Sequence, residues 1–75
     1  MTGIVKSYNR RRGYGFIQGS DDKEYFVHRI DLVNVDTLIP GQEVNFKSNR
    51  GNRGLYAEEV TNGNRQMDRL QEANH

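Results

Sequence analysis

The sequence predicts a small all-β domain, a barrel or sandwich built from five short strands. Short runs rich in β-branched and aromatic residues alternate with turn-forming clusters, and no long helical pattern interrupts them. A length of 75 residues leaves room for one domain and little else.

The first run, residues 3–9 (GIVKSYN), carries the β-branched pair Ile4 and Val5. Residues 13–18 (GYGFIQ) and 24–29 (EYFVHR) supply the second and third strands, and residues 43–47 (EVNFK) and 54–60 (GLYAEEV) complete the set. The segments between them (Asn9-Arg10-Arg11-Arg12, Gly19-Ser20-Asp21-Asp22, Pro40-Gly41 and Asn49-Arg50-Gly51-Asn52) have turn or loop chemistry. The longest connection, residues 30–41, holds Leu32, Val33, Leu38 and Ile39, too apolar for a free loop. It is expected to cap one end of the barrel, with a helical turn near Asp31 or Asp36. The domain is placed at residues 1–61. Residues 62–75 form a polar tail, either frayed or a short helix marked by Met67, Leu70 and Ala73.

Composition excludes several classes of function. With no cysteine and only two distant histidines, His28 and His75, neither a disulfide framework nor a metal centre is expected, and no cofactor is implied. No apolar run is long enough to cross a bilayer, and the amino terminus lacks the apolar core of a signal peptide, so a soluble, cytoplasmic protein is expected. No nucleophile–base pair or phosphate loop is visible, and the chain does not read as an enzyme. The net charge is only +1, yet Lys6 and Arg10 to Arg12 crowd the amino-terminal stretch and can present one basic face to phosphate.

Strand alternation gives the sharpest functional signal. On the second strand Tyr14 and Phe16 share a face, opposite Gly15 and Ile17; on the third, Phe26 and His28 share a face, opposite Tyr25 and Val27. If Ile17 and Val27 line the core, the four other rings lie together outside. The reverse arrangement would expose Ile17 and Val27 while burying His28, a poorer solution. Exposed rings on adjacent strands form a platform on which nucleobases stack, at about 1–3 kcal/mol per base and with little dependence on base identity.

The ordered motifs resemble the bacterial cold-shock protein family. Arg12-Gly13-Tyr14-Gly15-Phe16-Ile17 looks like the family's first RNA-binding motif, and Tyr25-Phe26-Val27-His28 looks like its second. The flanks Gly3-Ile4-Val5-Lys6, Leu38-Ile39-Pro40-Gly41-Gln42-Glu43-Val44 and Ala57-Glu58-Glu59-Val60 agree, and the likeness covers about residues 2–61. RRM domains carry a similar first motif, but late in the chain and with helices between strands. The resemblance implies a five-stranded antiparallel OB-fold barrel that binds single-stranded RNA or DNA. Carried over by position, it implies base stacking by Tyr14, Phe16, Phe26 and His28. It places Lys6 and Arg12 at backbone-contacting or base-flanking positions, and adds Tyr8 and Arg29 to the nucleic-acid-binding set.

Departures from the family pattern temper that expectation. The family usually has tryptophan at the position of Ser7, phenylalanine or tyrosine at Tyr8, and a further phenylalanine at Arg29. The loop of residues 30–37 also looks shorter and lacks the family's aromatic. Arg29 is positioned to recover part of the loss by stacking its guanidinium or pairing with phosphate. The expected function is a binding module that holds RNA single-stranded or regulates transcription or translation. The alternative is an adaptor on the same fold, in which a protein partner occupies the reduced platform. A monomer or weak dimer is expected.

Overall fold

A computed structural model describes residues 1–63 of the chain. Five strands, β1 (Thr2–Asn9), β2 (Tyr14–Gly19), β3 (Glu24–His28), β4 (Glu43–Gly51) and β5 (Gly54–Asn62), close into a barrel in the order β1-β2-β3-β5-β4. The barrel is the five-stranded all-β fold expected, consistent with an OB-fold, and it refines the antiparallel description at one seam. β1 pairs antiparallel with β2 and β4, β2 with β3, and β4 with β5, whereas β3 and β5 run parallel. Closure is narrowest at the β3–β5 seam, where the pairing is Phe26 with Tyr56, and three pairs join β1 to β4.

Alternation within each strand divides core from surface. Val5, Ile17, Tyr25, Val27, Val44, Phe46, Ala57 and Val60 are buried together with Leu38 from the long connection. Tyr25 and Phe46 meet across the core with ring centroids 5.1 Å apart. β4 and β5 extend beyond the runs visible in the sequence and form a hairpin around Asn52 and Arg53, with Gly51 paired to Gly54. Gly54 adopts φ 123°, a conformation open to glycine, and this allows the tight two-residue connection.

Two bulges bend the sheet. On β1 the pairing passes from Val5–Ile17 to Ser7–Phe16, leaving Lys6 as the extra residue. On β5 the register slips opposite Asn45 and Lys47, near Glu59, whose φ is 50°.

The long connection begins with a 3-10 turn, Arg29–Asp31, so the third strand ends at His28 rather than Arg29. The helical turn thus forms at Asp31, and the backbone at Asp36 is a bend. Leu38 plugs the core, and Leu32 and Val35 pack against it, whereas Val33 and Ile39 are exposed. Val33 donates a backbone hydrogen bond to Val60, pinning the connection to β5. The cap is therefore made by one side of the segment only. Met67, Leu70 and Ala73 lie outside the described residues. No helix among the described residues is long and apolar enough to cross a membrane.

Candidate nucleic-acid interface

Tyr14 and Phe16 lie on β2 opposite His28 and Phe26 on β3, as direct cross-strand partners. Directly opposed side chains leave a sheet on the same face, so the four groups share one surface. Phe16 and Phe26 are each 37% exposed, while Ile17 and Val27, the next residue along each strand, are fully buried. Three of the rings are in contact through Phe26. Tyr14 and Phe26 have centroids 5.8 Å apart with planes tilted by 32°, and Phe16 and Phe26 stand edge to face at 5.7 Å and 69°. Phe26 is the centre of the group.

Gly15 lies between the two β2 rings on the inner face. A Cβ there would collide with the Ser7 carbonyl oxygen and the Tyr8 Cα, so β1 can approach only because this position has no side chain. His28 closes the platform and caps the 3-10 turn, its Nδ1 accepting from the Ile30 amide at 3.3 Å. That bond ties the imidazole to the start of the 3-10 turn.

The basic residues singled out in the sequence fall into two groups. Arg10, Arg11 and Arg12 occupy the exposed β1–β2 turn, which is closed by the Gly13 amide donating to the Asn9 carbonyl at 2.7 Å and the Arg12 amide donating to Asn9 Oδ1 at 2.9 Å. The Arg29 amide donates to the Gly13 carbonyl at 2.7 Å, and its side chain packs along Gly13. Gly13, which follows Arg12, thus ties Arg29 to the end of the platform where Tyr14 faces His28. Lys6 stands apart on its bulge, its Nζ 3.2 Å from Glu24.

Tyr8 is placed differently from the other aromatic candidates. The Lys6 bulge shifts the phase of β1, so Ser7 pairs with Phe16 on the platform face and Tyr8 pairs with inward-facing Gly15. Tyr8 is half-buried and packs against the core; its remaining surface lines a shallow groove with Ser7, Asn9, Tyr14 and Phe16. Burial pushes its phenol above the ordinary 10.0, partly offset by the nearby Arg29 guanidinium.

One ring beside the platform is absent from the set that the sequence suggests. Tyr56 on β5 is the cross-strand partner of Phe26 over the parallel seam. A groove of about 600 Å³ runs between the platform and the β4–β5 hairpin, lined by Phe16, Phe26, His28, Leu55 and Tyr56, together with Arg53 at the hairpin tip, Glu24 and Asp31. Period-two reading of residues 54–60 puts Tyr56 on the outer face, opposite in phase to Ala57. Nothing local to that run shows that β3 is its neighbour.

Comparison with known proteins agrees with this geometry. Residues 1–63 match the family model described as the 'Cold-shock' DNA-binding domain. The chain is 41% identical over 62 residues to cold shock protein CapB of Pseudomonas syringae, covering 80% of this chain and 90% of that protein. It is 42% identical over 63 residues to the cold shock-like protein CspLB of Listeria monocytogenes, covering 81% and 96% respectively. It is also 44% identical over 63 residues to the cold shock-like protein CspD of Bacillus cereus, again covering 81% and 96%. A five-stranded barrel with an outward aromatic face, matched along its whole described length, makes this chain a nucleic-acid-binding member of the cold-shock domain family.

Proposed function

We propose that the protein binds single-stranded RNA or DNA by stacking successive bases on Tyr14, Phe16, Phe26 and His28, and thereby keeps RNA open. The observation that carries this reading is the contacting, outward-facing ring group centred on Phe26. Bases stacked on protein cannot also pair, so binding shifts local hairpins toward the open form by mass action. Regulation of transcription or translation follows where the opened element is a terminator or a ribosome-binding region, in the cytoplasm. Arg12 and Arg29 supply phosphate contacts at one end of the platform, and Lys6 does so once released from Glu24.

Ser7 stands opposite Phe16 on the platform face and offers no ring, and Arg29 leaves the sheet in a 3-10 turn. Binding on the β1–β3 face is therefore weaker and takes fewer bases than in a relative with aromatic residues at both positions, and the Arg29 cation steepens its salt dependence. Fluorescence anisotropy with labelled oligothymidine and oligouridine across salt concentrations, together with a quenched-hairpin opening assay, tests both statements. Saturable binding with hairpin opening is expected. Absence of binding at low salt would refute the stacking reading, and affinity and salt slope equal to such a relative would refute the comparison.

A further inference from the structure

The platform row does not stop at β3. Ser7, Phe16, Phe26 and Tyr56 are successive cross-strand partners over β1, β2, β3 and β5. Three of the four positions carry a ring, and the one without lies at the β1 end. Tyr56 is half-buried, and its phase is set by Ala57, which is fully buried. The ring lies over the backbone of Gly51 on β4, where an added Cβ would come within 3.2 Å of Tyr56 Cε1. One side of the ring is thus supported by bare backbone, and the residue also borders the groove shared with Phe26 and His28.

The groove chemistry fits a base better than a phosphate. Its lining includes the rings of Phe16, Phe26, His28 and Tyr56, and its size lies within the range of small-molecule sites; of its charged groups, Glu24 is paired with Lys6 and Asp31 is offset by Arg53, so the lining carries no net attraction for a phosphodiester. We propose that Phe26 and Tyr56 bound a further base-stacking slot across the β3–β5 seam, so that a platform cut short at Ser7 is extended onto β5 instead. The slot rests on the stacking function given above and moves the path of the bound strand toward the β4–β5 hairpin.

A purely structural role for Tyr56, as a cover for the Gly51 backbone, is separated from the slot by the substitutions Tyr56→Leu and Tyr56→Phe. Leucine keeps an apolar cover and removes the π face; phenylalanine keeps both. In anisotropy titrations of a labelled oligothymidine hexamer with the full chain, Tyr56→Leu is expected to bind about tenfold more weakly and Tyr56→Phe as wild type. Photocrosslinking of the unaltered protein to a hexamer containing 5-iododeoxyuridine needs no variant, and an adduct on Tyr56 is expected. Wild-type affinity in Tyr56→Leu, or adducts confined to Phe16 and Phe26, would overturn the slot while leaving the platform standing. Failure of the unaltered protein to bind any oligonucleotide would overturn the stacking function itself.

Discussion

Phe16 and Phe26 face each other across the β2–β3 seam with ring centroids 5.7 Å apart and planes 69° apart, and each keeps 37% of its surface exposed. This is an edge-to-face pair held at the surface rather than in the core. It presents a π face to solvent because Ile17 and Val27, one residue along each strand, fill the interior.

Phe26 touches both Tyr14 and Phe16, so its loss should disturb the platform more than loss of either neighbour. Phe26→Ala is expected to weaken oligonucleotide binding by about 1–3 kcal/mol. A double-mutant cycle with Phe16→Ala, read by urea unfolding, should give a coupling of about 0.5–1.5 kcal/mol. Strict additivity of the two substitutions would show that the ring contact contributes nothing.

Lys6 and Glu24 are 3.2 Å apart with half of each side chain exposed. Such a pair contributes less than about 1 kcal/mol to stability. Its larger effect is to neutralise a cation near the platform. Glu24→Gln should therefore leave the unfolding midpoint almost unchanged, tighten oligonucleotide binding, and steepen the slope of log K against log salt by up to about 0.7. An unchanged slope would mean that Lys6 does not reach phosphate.

Gly15→Ala places a Cβ against β1 backbone, which cannot move aside without breaking the β1–β2 ladder. The expected cost is about 3 kcal/mol, the upper end for overpacking, measured by urea unfolding. Gly41 offers a contrast. Its φ is 93° and no atom lies within 4 Å of the place a methyl group would take, so alanine there meets only the backbone penalty of about 1–2 kcal/mol. Equal costs at the two sites would argue against the steric account.

The Tyr25 hydroxyl donates to Asp21 Oδ2 at 2.6 Å, and the Lys23 amide donates to Oδ1 at 3.0 Å. The Tyr25 bond, followed by the Lys23 amide, holds the Asp21 carboxyl below its ordinary 3.8. A folded value below the unfolded one contributes stability above pH 3.8, which is lost as the pH falls through the depressed folded value. The Tyr25 phenol is raised above 10.0, first by the same hydrogen bond and then by burial, so its contribution is present below pH 10.0 and lost as the pH rises through the folded value. Chemical unfolding at fixed pH should show wild type gaining on Asp21→Asn between these limits and losing that advantage at the acid end. A difference between the two that is constant down to about pH 2 would overturn the assignment, since about two pH units span the titration of one carboxyl.

The turn between β1 and β2 shows how far local reading reaches. Arg10, Arg11 and Arg12 form an exposed turn, as their composition suggests, and its place beside Tyr14 follows from chain adjacency. Arg29 is legible in the sequence as a cation following the second motif. Its departure into a 3-10 turn and its packing along Gly13 are not, because both depend on the His28 cap and on a backbone bond between distant segments.

The sequence by itself determined the five strands and the division of Tyr14, Phe16, Phe26 and His28 from Ile17 and Val27, because side chains alternate with period two along a strand and burial follows that alternation. Tertiary structure alone decided which way Tyr8 turns and what stands beside Phe26. The Lys6 bulge changes the phase of β1 and carries Tyr8 inward, and barrel closure brings β5 parallel to β3 and Tyr56 to the platform's edge. Both are properties of pairing between strands, and pairing across the closing seam is set by the whole barrel rather than by any run of neighbouring residues.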